Sequence, residues 1–190
     1  MHLATNMPPA MHRQLGTDEL VMRPRDPDPL RQIPQNVCNL RRHRPGTGKT
    51  HLTVALGVQA ARRGYRVAFA TAHQWVGRLG AAKRAGRLDE ELERLRRIPL
   101  VCVDEVGYIP FDPEAAALFF ALISSRYEQA SMIVNSNKTF SAWAEIFGDP
   151  VAVAAMVDRL VHHAEVIALK GDSYRLKGHR KEAATPTETS

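Results

Sequence analysis

The sequence predicts an α/β domain built on a parallel sheet with helices over both faces. Three observations carry this. From Thr47 onward, apolar strand-like runs alternate with helical periods, as in strand–helix–strand units. The runs "LVCV" and "MIV" are unbroken rather than alternating, the pattern of strands buried on both faces. Each run stops abruptly in polar residues, "DE" and "NSN", where open α/β sheets hold their ligands.

Taken in order, residues 1–44 stand apart. They contain "MRPRDPDPLRQIP" and "NLRRHR", rich in proline and arginine, with no sustained apolar period. This segment is expected to be largely disordered, with a short packed arm around Leu20 to Met22 as the alternative. "KTHLTVALGVQAARRG" sets Leu52, Ala55, Leu56, Val58 and Ala60 on a helical period and ends at Gly64. "YRVAFATA" reads as a strand and "HQWVGRLGAAKRAG" as a helix. "LDEELERLRR" is a second helix with Leu88, Leu92 and Leu95 on one face. Glu90–Arg94 and Glu93–Arg97 lie four apart on it. "IPLVCVDEVG" is a buried strand, and "DPEAAALFFALISSRYEQA" opens with an Asp-Pro helix start. "SMIVNSN" is a further strand, "TFSAWAEIFG" and "DPVAVAAMVDRLVHHA" are helices, and "EVIALKG" and "SYRLK" are short strand candidates. The expected organisation is a divergent segment 1–44, a core 45–177 and a solvated tail 178–190.

The chain has 190 residues, enough for one domain with a real core. Its composition, 44% apolar and 24% charged, is that of a globular domain. No run approaches the length of a membrane span, and the first residues lack the continuous apolar stretch of a secretory signal. Cys38 and Cys102 are far apart and match no metal spacing. A cytoplasmic protein with no membrane partner is expected. The net charge of +6 favours a polyanionic partner.

Chemistry concentrates in four places. In "PGTGKT", amides around Gly46, Thr47 and Gly48 suit a cradle for phosphate oxygens, and the helix that follows adds its positive N-terminus. Lys49 would reach the β- and γ-phosphates and the Thr50 hydroxyl would ligate Mg²⁺, with Pro45 and His51 flanking. The alternative is a glycine turn that merely caps a helix. After the apolar strand, Asp104 suits the coordination shell of a metal, and Glu105 suits a base that orients water. Alone, the two are equally well surface acids at a strand end. Asn135, Ser136 and Asn137 end the next strand, where a polar side chain meets a γ-phosphate or serves as a helix cap. Arg159 suits stabilisation of a transferring phosphate across a subunit boundary, or a local salt bridge to Asp158. His162 and His163 are sequence neighbours on a helix and read as surface or interface residues.

Together, "PGTGKTHL", "VDEVGYIPFD", "SSRYEQASMIVNSN", "FSAWAEIFGDP" and "DRLVHHAEVIALKGDSYRL" resemble the IstB-like helper ATPases of bacterial insertion sequences. These are relatives of the helicase loader within the AAA+ class of P-loop NTPases. The resemblance runs from about Pro45 to Leu176. It implies an ATP- and Mg²⁺-dependent AAA+ core that self-assembles on duplex DNA and delivers it to a transposase, with a helicase-loading role as the alternative. By position, Lys49 and Thr50 correspond to Walker A and Asp104 and Glu105 to Walker B. Asn137 corresponds to the sensor, and Arg159 to an arginine finger acting on a neighbour's nucleotide. Arg126 is a weaker candidate for a contact in trans. His43 and Arg44 depart from the family's Gly-Pro opening of the loop, and "VCNLRR" departs from its apolar strand. A shifted reading frame upstream of Pro45 would explain both, and an ATPase-inactive fragment is the further alternative. The basic residues between Arg78 and Arg97, and those from Lys170 to Lys181, are candidate DNA contacts or solvated faces.

Overall fold

The structure is a computed structural model that describes residues 20–22, 36–40, 48–162 and 164–168. Six strands are described: β1 (Leu20–Met22), β2 (Asn36–Leu40), β3 (Val67–Thr71), β4 (Leu100–Val106), β5 (Ser131–Ser136) and β6 (Ala164–Ala168). They form one sheet in the order β1–β3–β4–β5–β2–β6. Only β1 runs antiparallel to its neighbour. The described α-helices are α1 (Lys49–Arg62), α2 (Ala72–Arg84), α3 (Leu88–Arg96), α4 (Pro113–Arg126), α5 (Ala144–Phe147) and α6 (Pro150–Val161).

The unbroken apolar strands are buried on both sides, as their pattern requires. Val101 and Val103 of β4, with Met132 and Val134 of β5, face the larger core of Trp75, Leu79, Phe119, Leu122, Met156 and Leu160. The alternate residues Leu100, Cys102 and Ile133 face α1. In α1 the buried positions are Thr53, Gly57 and Ala60, while Ala55 is exposed. Of the expected set, Ala60 is buried and Leu56 packs against the same cluster, while the small residues Thr53 and Gly57 let the helix lie close on the sheet. A Cβ on Gly57 would stand 3.5 Å from Val67 Cγ1 and 3.9 Å from Cys102 Sγ.

Helix starts follow local chemistry. Thr71 and Gln74 form a reciprocal capping box at α2. Asp112 accepts from the Ala115 amide at 2.8 Å, with Pro113 in the first turn of α4. Asp149 and Pro150 do the same for α6. The α3 leucines pack as expected, with Leu95 buried and Leu88 and Leu92 against the same core.

Three expectations differ from the structure. The segment 1–44 contributes β1 and β2 to the sheet, and β2 lies between β5 and β6, not outside the core. The strand is described over Asn36–Leu40, and the arginine pair that follows lies outside the described residues. "TFSAWAEIFG" is not one helix but a 3-10 turn, Phe140–Ala142, followed by α5. Trp143 divides them, fully buried, with its Nε1 donating to Ser136 Oγ at 3.2 Å. Arg126 is not a surface finger. It is 1% exposed, and its guanidinium donates to the carbonyls of Leu95, Ile98 and Ser131. Desolvation pulls its pKa down from 12.5 to about 10. The "SYRLK" strand and the 178–190 tail lie outside the described residues, as do His163 and the basic stretch from Lys170 to Lys181.

Candidate functional site

The parallel strands β2 to β5 all end on one edge of the sheet. Pro45, Gly46 and Thr47, with His43 and Arg44, lie outside the described residues. Gly48 is the N-cap of α1 at φ 85°, a left-handed conformation that glycine adopts without strain. Gly48 offers no capping side chain, and the first turn of the helix holds no acid. The start of a helix with that composition suits an anion. Lys49 is half-buried, and Thr50 and His51 are exposed.

The contact of Gly57 with Cys102 fixes how far α1 reaches. The helix runs antiparallel to β4. Its first turn thus lies about 12 Å from that contact towards the sheet's C-terminal edge, at 1.5 Å per residue. Asp104 lies roughly 7 Å along the strand in the same direction. These lengths bring the turn carrying Lys49 and Thr50 to the side of the sheet on which β4 ends, the side that carries Asp104.

That strand end is bent. Val103 pairs with Val134 but Val106 with Ser136, so β4 holds one more residue than β5 across this interval. The extra residue is accommodated at Glu105, whose φ is 60°. A non-glycine residue there costs about 1–2 kcal/mol. The bulge parts the two carboxylates: Asp104 is 5% exposed and Glu105 points outward. Asp104 Oδ1 accepts from Asn135 Nδ2 at 2.9 Å and from the Glu105 amide at 3.0 Å. No described residue donates to Oδ2.

From β5, Asn135 is 1% exposed, and its Oδ1 meets no donor among the described residues. Ser136 Oγ donates to the Val106 carbonyl at 2.9 Å, which ties β5 to the bulge. Asn137 follows, its amide donating to the same carbonyl at 3.2 Å and its buried Oδ1 without a described partner. Gly107, at φ 98°, makes room for it. A Cβ there would sit 2.6 Å from Asn137 Oδ1. The sequence offered no sign of Gly107's role, since the clash depends on the register of two strands. Nor did it show that Asn135 is the partner of Asp104.

Arg159 is not brought to this edge. It is half-buried on α6, with Nη1 donating to the Ala155 carbonyl at 3.0 Å. It lies over the rings of Phe120 and Tyr127, at 5.1 and 6.0 Å. Tyr127 lies just before β5 begins, towards the opposite edge of the sheet. Arg159 makes no ion pair with Asp158 among the described residues. The cluster between Arg78 and Arg97 is largely paired. Arg78 and Arg94 meet Glu91, Lys83 meets Glu114, and Arg96 and Arg97 meet Glu93. His162 is exposed. No helix among the described residues is long and apolar enough to cross a membrane.

A sheet of parallel strands flanked by helices, with polar strand ends on the edge where α1 begins, has the fold of a P-loop NTPase, here of the AAA+ type. The chain belongs to the family of IstB-like ATP-binding proteins, whose sequence pattern matches residues 34–183. The match thus takes in β2, upstream of Pro45. The chain is 45% identical over 146 residues to the insertion sequence IS21 putative ATP-binding protein of Pseudomonas aeruginosa, covering 77% of this chain and 55% of that one. It is 45% identical over 136 residues to the IS5376 putative ATP-binding protein of Geobacillus stearothermophilus, covering 72% and 54%. It therefore spans about half the length of these curated relatives. Among solved structures, the DnaC helicase loader superposes with a TM-score of 0.61 at 19% identity, over 74% of this chain and 82% of that one. AMPPCP-bound DnaA from Aquifex aeolicus gives 0.61 at 21% identity, over 80% and 47%. Likeness at these identities shows the fold.

Proposed function

We propose that this chain binds and hydrolyses ATP as a transposition helper that assembles on duplex DNA and recruits a transposase. The reading is supported by the lengths of α1 and β4, which bring the first turn of α1, with Lys49 and Thr50, to the sheet edge where β4 ends in Asp104 and Glu105. In this reading, amides from Gly46 to Thr50 wrap the phosphates, Pro45 and His51 flank them, and Lys49 neutralises the β- and γ-oxygens. The residues fit a magnesium ion. Thr50 is exposed at the first turn, and Asp104 keeps an oxygen that no described residue donates to. When bound, Mg²⁺ would offset phosphate charge in the transition state. Asn135 holds Asp104 in place, Glu105 takes the proton of the attacking water, and Asn137 orients that water. Arg159, on the far edge of its own chain, acts on the nucleotide of an adjacent copy.

The 45% identity to insertion-sequence proteins favours transposition over helicase loading, because the likeness to the loader extends only to the fold. ATP binding and turnover by the purified chain, with and without duplex DNA, test the reading beside Lys49→Ala. Tight binding lost in the variant, with turnover that rises on DNA, is expected. Binding that survives Lys49→Ala, or no binding at all, would reject it. Copurification with a replicative helicase instead of the element's transposase would reject the transposition role alone.

A further inference from the structure

Arg159 is held in part by rings that lie outside its own helix. Its guanidinium lies over Phe120 and Tyr127, residues from α4 and from just after it. Stacking of this kind engages the face of the cation and leaves its edge donors available. One of these, Nη1–H, is used by the Ala155 carbonyl. The shelf is itself fixed. Phe120 packs against the large core. The Tyr127 hydroxyl lies 3.2 Å from His162 Nδ1, with the two rings tilted at 56° and 5.9 Å apart. Desolvation, followed by the nearby Glu128, holds the Tyr127 phenol above its ordinary pKa, so it stays neutral and able to donate. A long, rotamer-rich side chain is thereby confined before any partner arrives. Confinement of this kind lowers the ordering cost of a later contact.

We propose that Phe120 and Tyr127 are positioning residues, an aromatic shelf that pre-sets Arg159 for its contact with the nucleotide of an adjacent copy. The inference rests on the reading of Arg159 as a residue acting in trans. The test is steady-state ATP hydrolysis by the full chain at assembling concentration, in wild type and in Tyr127→Ala, Tyr127→Phe, Phe120→Leu, Arg159→Ala and Tyr127→Ala/Arg159→Ala. Tyr127→Ala is expected to lower kcat roughly 3- to 10-fold, the worth of one cation–π contact, with KM for ATP unchanged. Phe120→Leu should lower it in the same direction. Tyr127→Phe keeps the ring and should stay within about twofold of wild type. The double variant should be no slower than Arg159→Ala, because the ring acts only through the arginine. An NMR signal of Arg159 Nε–H displaced by the rings should lose that displacement in Tyr127→Ala and keep it in Tyr127→Phe.

Three results would overturn the shelf while leaving Arg159 its role: an unchanged kcat in Tyr127→Ala, a raised kcat, which would mean that the rings withhold the arginine, or a further loss in the double variant. An unchanged kcat in Arg159→Ala would remove the trans contact itself, and the proposal with it, even if the ring-displaced signal persists.

Discussion

Replacing Arg126 with alanine should destabilise the fold by about 3 kcal/mol, and the structure supplies the terms. The guanidinium donates to three carbonyls, those of Leu95, Ile98 and Ser131. Bonds to a charged donor contribute about 2 kcal/mol each, or roughly 6 together. Burial works against the charge: a pKa lowered from 12.5 to about 10 corresponds to a penalty of about 3 kcal/mol for the ionised form. The remainder, about 3 kcal/mol, sits at the lower end of what breaking a buried charged network usually costs. For a chain of this size the midpoint of thermal unfolding should fall by roughly 6–12 °C. Urea unfolding followed by circular dichroism measures the change, with the slope unaltered if only stability moves. Arg126→Met, which keeps most of the volume but orphans the carbonyls, should remain clearly destabilised. If Arg126→Ala costs less than about 1 kcal/mol, the three carbonyls do not depend on this side chain, and the assignment of Arg126 as a structural strut fails.

Further outcomes follow from the bulge and the surface. Glu105→Gln keeps the left-handed backbone and removes the base, so kcat should fall by about 10²–10⁴ while ATP still binds. Glu105→Gly should lose the same activity yet gain up to about 1 kcal/mol of stability, and a loss of stability instead would deny strain at the bulge. Gly107→Ala should cost about 1–3 kcal/mol and slow turnover, since its Cβ would meet Asn137 Oδ1; a wild-type urea midpoint would contradict that packing. Hydrogen bonds from Arg96 and then Arg97 hold the Glu93 carboxyl down to about 2, from an ordinary 4.5. A depressed carboxyl adds its stabilisation above the unfolded pKa and loses it as pH falls towards 2. An NMR titration of Glu93 with its midpoint near 4.5 would show that these pairs do not persist in solution.

The α/β class and the order of most helices were legible because unbroken apolar runs and Asp-Pro helix starts are local signals. β4, β5, α4 and α6 all follow from residues adjacent in the chain. What stayed hidden depends on pairing between distant segments. β2 is five residues, "NVCNL", set among proline and arginine, and its place in the sheet comes from partners far along the chain. The extra residue in β4 cannot be seen without β5 beside it, and a glutamate gives no hint of a left-handed backbone. Asp104 and Glu105 were legible as a pair. Their division into an inward and an outward carboxylate was not. Arg126 was a candidate for a contact in trans because nothing nearby in sequence reveals three carbonyls converging on it. The aromatic neighbours of Arg159 come from α4 and its end, beyond the reach of any helical spacing on α6.

The position of β2 also sets an order of events during synthesis. This strand precedes the proposed phosphate loop in the sequence, yet both of its sheet neighbours, β5 and β6, emerge from the ribosome long after it. Until they arrive, β2 has no partner in the sheet, and β4 offers an unprotected border to other chains. Under the function proposed above, a product that stops before Ser131 would carry every residue from Pro45 to Asp104 and still fail to hold the nucleotide.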